Sequence, residues 1–254
     1  MNSADRLLAV LELFSESHPV WMAEEMIQAT GFTRPTLYRY LKSLREAGLV
    51  TSVSGGAFSL GPRVTELDYL MRRADPLITA GQDALMTLSK LHPCSAFLVR
   101  WYARKILCVS SVVSAPDAQS SYPRGRPMPL ARGAISRAIL AYLSKSEQEE
   151  IGGANLAEFA RVGTGETVEE IRATLRKIRR DGVAIAYGEV TAGVVGIAAP
   201  IFDGGAGPVA ALCFTAAGED MDPEKITLLS ARVRDLAKAI SADLTGAETT
   251  RQSA

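Results

Sequence analysis

The chain has little of the chemistry that most enzymes are built on. Of its 254 residues only two are histidine, His18 and His92. Neither has a second histidine or a cysteine at metal-ligand spacing, so no zinc or iron site is expected. The three cysteines, Cys94, Cys108 and Cys213, do not pair evenly and show no CxxC spacing. A reducing cytoplasm fits them best. No GxSxG elbow, no G-x-x-x-x-G-K-[ST] loop and no G-x-G-x-x-G after a strand occurs. The run Asp203-Gly204-Gly205-Ala206-Gly207 lacks a following lysine and helix, and reads as a hairpin turn. Cys213 lies in a predicted strand with no histidine near it in sequence, and reads as a small buried hydrophobe. Long hydrophobic runs are missing too. The longest charge-free apolar stretch, Val190 to Phe202, is interrupted by glycine and proline and is too short for a bilayer. The N-terminal run "LLAVLELF" contains Glu12, follows Asp5 and has no small-residue cleavage site, so it does not read as a secretion signal. Net charge is zero, which gives no global pull toward DNA or an anionic membrane. The expectation is a protein with no catalytic residues, no metal and no cofactor.

What is present is local asymmetry. From Met1 to Thr30 there is one base, Arg6, against five acids: Asp5, Glu12, Glu16, Glu24 and Glu25. From Gly31 to Arg63 there are five bases (Arg34, Arg39, Lys42, Arg45, Arg63) against one acid, Glu46. The basic segment contains "TRPTLYRYLKSLREAGLV". Leu37, Leu41 and Leu44 fall on one face of a helix, while Arg34, Thr36, Tyr38, Arg39, Lys42 and Arg45 lie off it. Positive charge is concentrated where phosphate contact needs it.

The periodicity places this helix in a larger unit. A helix is predicted over Ala4 to Ser17, from Leu7, Leu8, Leu11 and Phe14, and a second over about Met22 to Ala29. Gly31 ends the second as a left-handed cap. Thr33 then caps the third, with Pro35 in its first turn. "LVTSVSGGAFSLGP" reads as a β-hairpin turning at Ser54-Gly55-Gly56. Three helices and a hairpin make a winged helix-turn-helix over 1–62. A linker helix follows over 63–76, with Val64, Leu67, Met71 and Ala74 as a coiled-coil-like seam and a dimer contact. The alternative is a helix packed on its own domain. Asp75-Pro76 breaks it.

From Leu77 the pattern is mixed. A helix is predicted over about Ile78 to Leu91, then strands "SAFLVRWY" and "KILCVSSVV" joined at Ala103-Arg104. The loop "SAPDAQSSYPRGRPMP" leads to a helix over about Arg132 to Leu143. Ser144 with Glu147, and Thr167 with Glu170, have capping-box spacing. Strands "VAIAYGEV", "VVGIAAPIF" and "PVAALCFTA" precede a final helix from Asp222-Pro223 to about Leu244. The fold class is α+β: an N-terminal winged helix-turn-helix, a linker helix, and a C-terminal ligand-sensing domain over 77–246 with an antiparallel sheet flanked by helices. A small polar tail, 247–254, is expected to fray.

Taken in order, "RLLAVLELF", "TRPTLYRYLKSLREAGLV", "FSLGPRVTEL", "GRPMPLARGAISRAILAYL", "IRRDGVAIAYGE", "GVVGIAAPIFD" and "VAALCFTA" resemble the IclR family of bacterial transcriptional regulators. The resemblance spans nearly the whole chain. It implies a C-terminal effector-binding domain related to GAF domains. It also implies a double-stranded DNA operator, a small organic-acid effector, a homodimer that can pair into a tetramer, and no membrane association. In this motif the N-terminal residues of the third helix lead into the major groove. Arg34, Thr36, Tyr38 and Arg39 are then base-edge candidates, and Lys42 and Thr33 phosphate contacts. The wing "SVSGGAFS" is uncharged, unlike many in the family. Ser52, Ser54 or the glycine amides are left to hydrogen-bond phosphate, and salt sensitivity should be lower than with a charged wing.

The resemblance also implies a pocket. The turn and helix after Pro-Leu give Gly133, Ala134 and Ser136. A position that is often acidic in the family is Ala186, one that is often cysteine is Gly196, and two that are often serine are Cys213 and Thr215. The expected pocket therefore lacks a carboxylate and one hydroxyl. A bulkier, more apolar effector is expected, such as an aromatic acid or ring-cleavage product. Thr215, Ser136 and backbone amides would hold its polar end. The competing readings are an enzyme with an accessory winged-helix domain, and a winged-helix protein-interaction module.

Overall fold

The computed structural model describes the backbone of residues 2–114 and 123–252, with side chains as far as Gly246. Part of the loop at Ser114 to Pro129 and the end of the expected tail lie outside the described residues. The chain divides into two units, Met1–Asp75 and Pro76–Ala254. The break falls at the Asp75-Pro76 step, where Asp75 turns extended after helix α4 (Arg63–Ala74).

In the first unit, α1 (Ser3–Glu12), α2 (Ala23–Thr30) and α3 (Arg34–Glu46) surround one apolar core. Val10, Met26, Leu37, Tyr40, Leu41 and Leu44 form it. The leucine face of α3 is thus buried as its spacing requires, and Tyr40 joins it. Removing one such leucine to alanine costs about 2–5 kcal/mol. Gly31 takes φ +70° and closes α2 through its amide on the Ile27 carbonyl. An L side chain is disfavoured at that angle. Helix α1 is shorter than its apolar spacing predicts. Asn2 and Asp5 box its start, and it stops at Glu12 because the chain then folds into a turn. The Ser15 hydroxyl accepts from the His18 amide, and the Trp21 indole donates to the carbonyls of Leu13 and His18. Phe14 still packs on the core from outside the helix. Strand β1 (Val20–Trp21), too short for a sequence signal, adds to β3 (Phe58–Leu60), which pairs with β2 (Val50–Ser52).

The second unit is a six-stranded, wholly antiparallel sheet. Its strands are β4 (Ser95–Tyr102), β5 (Lys105–Val113), β6 (Pro127–Met128), β7 (Ala184–Tyr187), β8 (Val194–Ile201) and β9 (Ala210–Ala217), in the order β6-β5-β4-β9-β8-β7. Side chains alternate across it. Leu98, Ile197, Leu212 and Phe214 face α5 (Pro76–Leu91) and α10 (Pro223–Gln252) in one core. Phe97, Val99, Ala198 and Cys213 face α6 (Ala134–Leu140), α7 (Lys145–Ala154), α8 (Leu156–Arg161) and α9 (Val168–Asp181) in the other. Helix α10 meets the sheet through Leu229, Val233, Ala237, Ile240 and Leu244 at helical spacing, and continues past Leu244 to Gln252.

Several local expectations differ in detail. Ser144 and Glu147 make a full capping box. Thr167 caps α9, but the Glu170 carboxylate accepts from the Glu166 amide instead of closing the box. Helix α6 begins at Ala134, not Arg132, because Gly133 at φ +87° is not helical. Among the described residues, no helix is long and apolar enough to cross a membrane. None of their His, Cys, Asp and Glu side chains group in threes at metal-binding range.

Candidate functional site

Two sites were expected, one in each unit. On α3, Tyr38, Arg39 and Lys42 are exposed and Thr36 is half-buried, opposite the buried leucines. Tyr38 is 45% exposed despite its size. The Arg39 guanidinium lies 5.2 Å from the Tyr40 ring centroid, a cation–π contact that restrains it at the surface. Arg34 is exposed but ion-paired to Glu24 of α2 at 2.7 Å, and Lys42 to Glu46 at 3.9 Å. Both pairs are solvent-accessible and cheap to exchange for another anion. Thr33 occupies the cap position, yet its hydroxyl makes no cap bond; it donates to the Thr36 hydroxyl at 3.0 Å. The side-chain cap expected of Thr33 is therefore absent: its oxygen accepts no amide of the first turn, and the hydroxyl is turned to Thr36 instead. Ser52 and Ser54 are exposed on the hairpin, Ser54 opening a 3-10 turn at its tip. Lys42 and Arg45 of α3 and Thr51 and Ser52 of the hairpin border one shallow, open depression.

In the second unit, strand register builds a pocket floor. Ala186 pairs with Gly196, Gly196 with Thr215 and Thr215 with Ser95, one rung across four strands. Cys213 pairs with Phe97 two residues along the same face. Over this floor lie Gly133, Ala134 and Ser136 at the start of α6, and Glu189, Val190, Thr191 and Val194 of the β7–β8 loop and β8. The cleft holds roughly 580 Å³ of empty space including its mouth. All seven residues expected at an effector pocket line it: Gly133, Ala134, Ser136, Ala186, Gly196, Cys213 and Thr215.

Its polar chemistry departs from the expectation twice. The pocket does have a carboxylate. Glu189 reaches it from a position the sequence reading did not single out. Its Oε1 accepts from Arg137 Nη2 at 2.6 Å, and its Oε2 from Arg137 Nη1 and the Gly133 amide, both at 2.8 Å. Arg137 further donates to the Ile185 carbonyl and the Thr164 hydroxyl. Both side chains of the pair are nearly buried, 7% and 12% exposed. The signal for Arg137 was a charge inside "AISRAILAYL", where burial demands a partner.

The second departure concerns the hydroxyls. Thr215 donates its proton to the Ser95 carbonyl at 3.1 Å, and Ser136 donates to the Leu130 carbonyl. Neither has a proton left for a ligand carboxylate. Arg132 does have donors, and it also lines the pocket. The Cys213 thiol is pushed up by burial, so it is a neutral apolar wall.

The first unit is a folded helix-turn-helix and the second a two-faced sheet with a walled pocket, the two parts of a DNA-binding regulator. The chain matches the description "IclR helix-turn-helix domain" over residues 3–54 and "Bacterial transcriptional regulator IclR C-terminal" over residues 76–242. The chain belongs to the IclR family of transcriptional regulators. It is similar to the HTH-type transcriptional regulator KipR of Bacillus subtilis, 24% identical with 92% of this chain and 93% of that one covered. The fold is shared with an IclR transcriptional regulator from Silicibacter sp. TM1040, at TM-score 0.82 and 24% identity, covering 96% of each chain. It is shared also with an IclR homolog from Microbacterium hydrocarbonoxydans complexed with 4-hydroxybenzoate, at TM-score 0.76 and 20% identity, covering 96% of this chain and 100% of that one. These families and relatives are regulators of transcription, not enzymes.

Proposed function

We propose that this regulator, acting in the cytoplasm as a homodimer that can pair into a tetramer, represses transcription at a double-stranded DNA operator and responds to a small organic acid. The observation that carries the reading is the division of α3: its leucines are buried while Tyr38, Arg39 and Lys42 stand exposed. On this reading Arg34, Thr36, Tyr38 and Arg39 meet base edges in the major groove. Thr33, Lys42 and Ser54 meet phosphate. An arginine bidentate to guanine discriminates by about 1–3 kcal/mol. Dimerisation runs through α4, which buries no residue in the single chain and leaves Leu67, Leu70 and Met71 about half exposed. Two recognition helices then read half-sites about 34 Å apart.

The pocket favours an aromatic or similarly apolar acid. Phe97, Met128, Val190 and Val194 supply apolar wall, and the floor positions Ala186 and Gly196 carry little side chain. The Microbacterium homolog binds such an acid, 4-hydroxybenzoate. The effector shifts the population of DNA-competent dimers through its differential affinity for the two arrangements. The test is electrophoretic mobility shift with the upstream region of the flanking genes. Arg39→Glu should abolish specific binding while the thermal unfolding midpoint stays. Unchanged binding would favour a protein-interaction module. Calorimetry with small and aromatic acids tests the pocket; binding only of glyoxylate- or pyruvate-sized acids would refute the aromatic reading.

A further inference from the structure

Two charged side chains line the cleft, Arg132 and Glu189, and a third, Arg137, is ion-paired to Glu189. Two of them cancel. Arg137 and Glu189 satisfy each other at two points, and the other two Nη donors of Arg137 go to a carbonyl and a hydroxyl. Arg132 is different. Its ionic partner among the described residues is Glu158, reached by Nε at 3.4 Å. That Nε is buried and makes no hydrogen bond. Glu158 is shared, since Arg161 lies 3.3 Å from the same oxygen. Two guanidinium groups share this one carboxylate, so Glu158 does not belong to Arg132 alone.

The hydroxyls cannot take over this role. Thr215 and Ser136 have both given their protons to backbone carbonyls, and the Gly133 amide is held by Glu189. A carboxylate entering the cleft needs donors, and a guanidinium offers them in the matching planar fork. We propose that Arg132 is the residue that holds the ligand's carboxylate, so that the pocket selects monoanions, with the apolar remainder against Phe97, Met128 and Val194. This rests on the reading of the cleft as an organic-acid site. Glu158 is the internal competitor: it holds the guanidinium when the pocket is empty and yields it to the ligand.

The experiment is isothermal calorimetry on the full chain, with thermal unfolding to confirm folding. The probes are benzoate, 4-hydroxybenzoate and pyruvate, each beside its primary amide, the uncharged near-isostere. The wild type should bind one acid about tenfold or more tighter than its amide, the usual scale of a charge-assisted hydrogen bond. Arg132→Met should bring acid and amide to equal affinity while the amide's affinity holds. Glu158→Gln, which leaves Arg132 in place and removes its competitor, should tighten the acid and not the amide. It stands as the test even if Arg132→Met fails to fold. An acid bound equally by wild type and Arg132→Met overturns Arg132 as anchor but leaves the organic-acid pocket. So does an amide bound as tightly as its acid by the wild type, or a Glu158→Gln protein with unchanged acid affinity. If no acid or amide binds the wild type, the organic-acid reading itself is overturned, and this one with it.

Discussion

Glu189 and Arg137, 52 residues apart in sequence, meet inside the second unit as a two-point ion pair with Nη2–Oε1 at 2.6 Å. The pair ties the β7–β8 loop to α6, and the Gly133 amide completes it. The loop residues Val190 and Thr191 that follow Glu189 form one wall of the ligand cleft. Glu189→Ala leaves the buried Arg137 unpaired and should cost about 3–5 kcal/mol. The double change Arg137→Met with Glu189→Leu should recover most of that. Urea unfolding of these two variants and of Arg137→Met and Glu189→Leu alone measures both. Near-additive losses would mean the pair does not couple.

Gly196 and Gly133 should respond oppositely to alanine. A Cβ on Gly196 would sit 3.7 Å from Thr215 Cγ2 and 3.8 Å from Ala134 Cβ, ordinary contact distances. Gly196→Ala should therefore fold with unchanged or slightly raised stability, within about 1 kcal/mol, and weaken binding of bulky acids more than small ones. Gly133 has φ +87°, and a Cβ there would lie 2.9 Å from Val190 Cγ2. Gly133→Ala should destabilise by roughly 1–3 kcal/mol. Thermal unfolding beside calorimetry separates the two effects.

Glu46→Gln should strengthen operator binding. The Glu46 carboxylate lies 3.9 Å from Lys42 and competes with phosphate for it. Releasing one further phosphate contact should steepen the plot of log affinity against log salt by about 0.9. An unchanged slope would mean Lys42 does not reach the DNA backbone.

Leu67→Asp with Met71→Asp should give a monomer by analytical ultracentrifugation, because both residues lie exposed on the unpaired face of α4. The folded state of each unit should survive, since α4 buries no residue in the single chain. A dimer that persists would place the contact elsewhere.

The cysteines should resist thiol reagents in the native protein. All three are free and buried, and burial pushes each thiol up, that of Cys108 to about 11. The unfolded chain ionises near 9 while the folded chain does not. The unfolded state thus loses protons first, so the stabilisation from the Cys108 thiol should be constant below about pH 9 and fall between about pH 9 and 11. Ellman's reagent at pH 8 should label no thiol without denaturant and three with it.

The sequence by itself determined whatever a local period can carry. Leucines at Leu37, Leu41 and Leu44 dictate which side of α3 is oily, whatever packs against them. Gly31, Pro35, Ser144 and the Asp75-Pro76 step set helix limits through backbone sterics and short-range hydrogen bonds. Ordered motifs located the pocket positions, and all seven line the cleft. What lay outside local reach was decided by register and by competition for partners. Strand pairing put Ala186, Gly196 and Thr215 on one rung. The Thr215 and Ser136 hydroxyls, polar on paper, had their protons taken by carbonyls only folding brought near. Arg137, Glu189 and Arg132 look alike as charges in a string of letters. Burial and distance alone made the first two a neutral pair and left the third with donors to give.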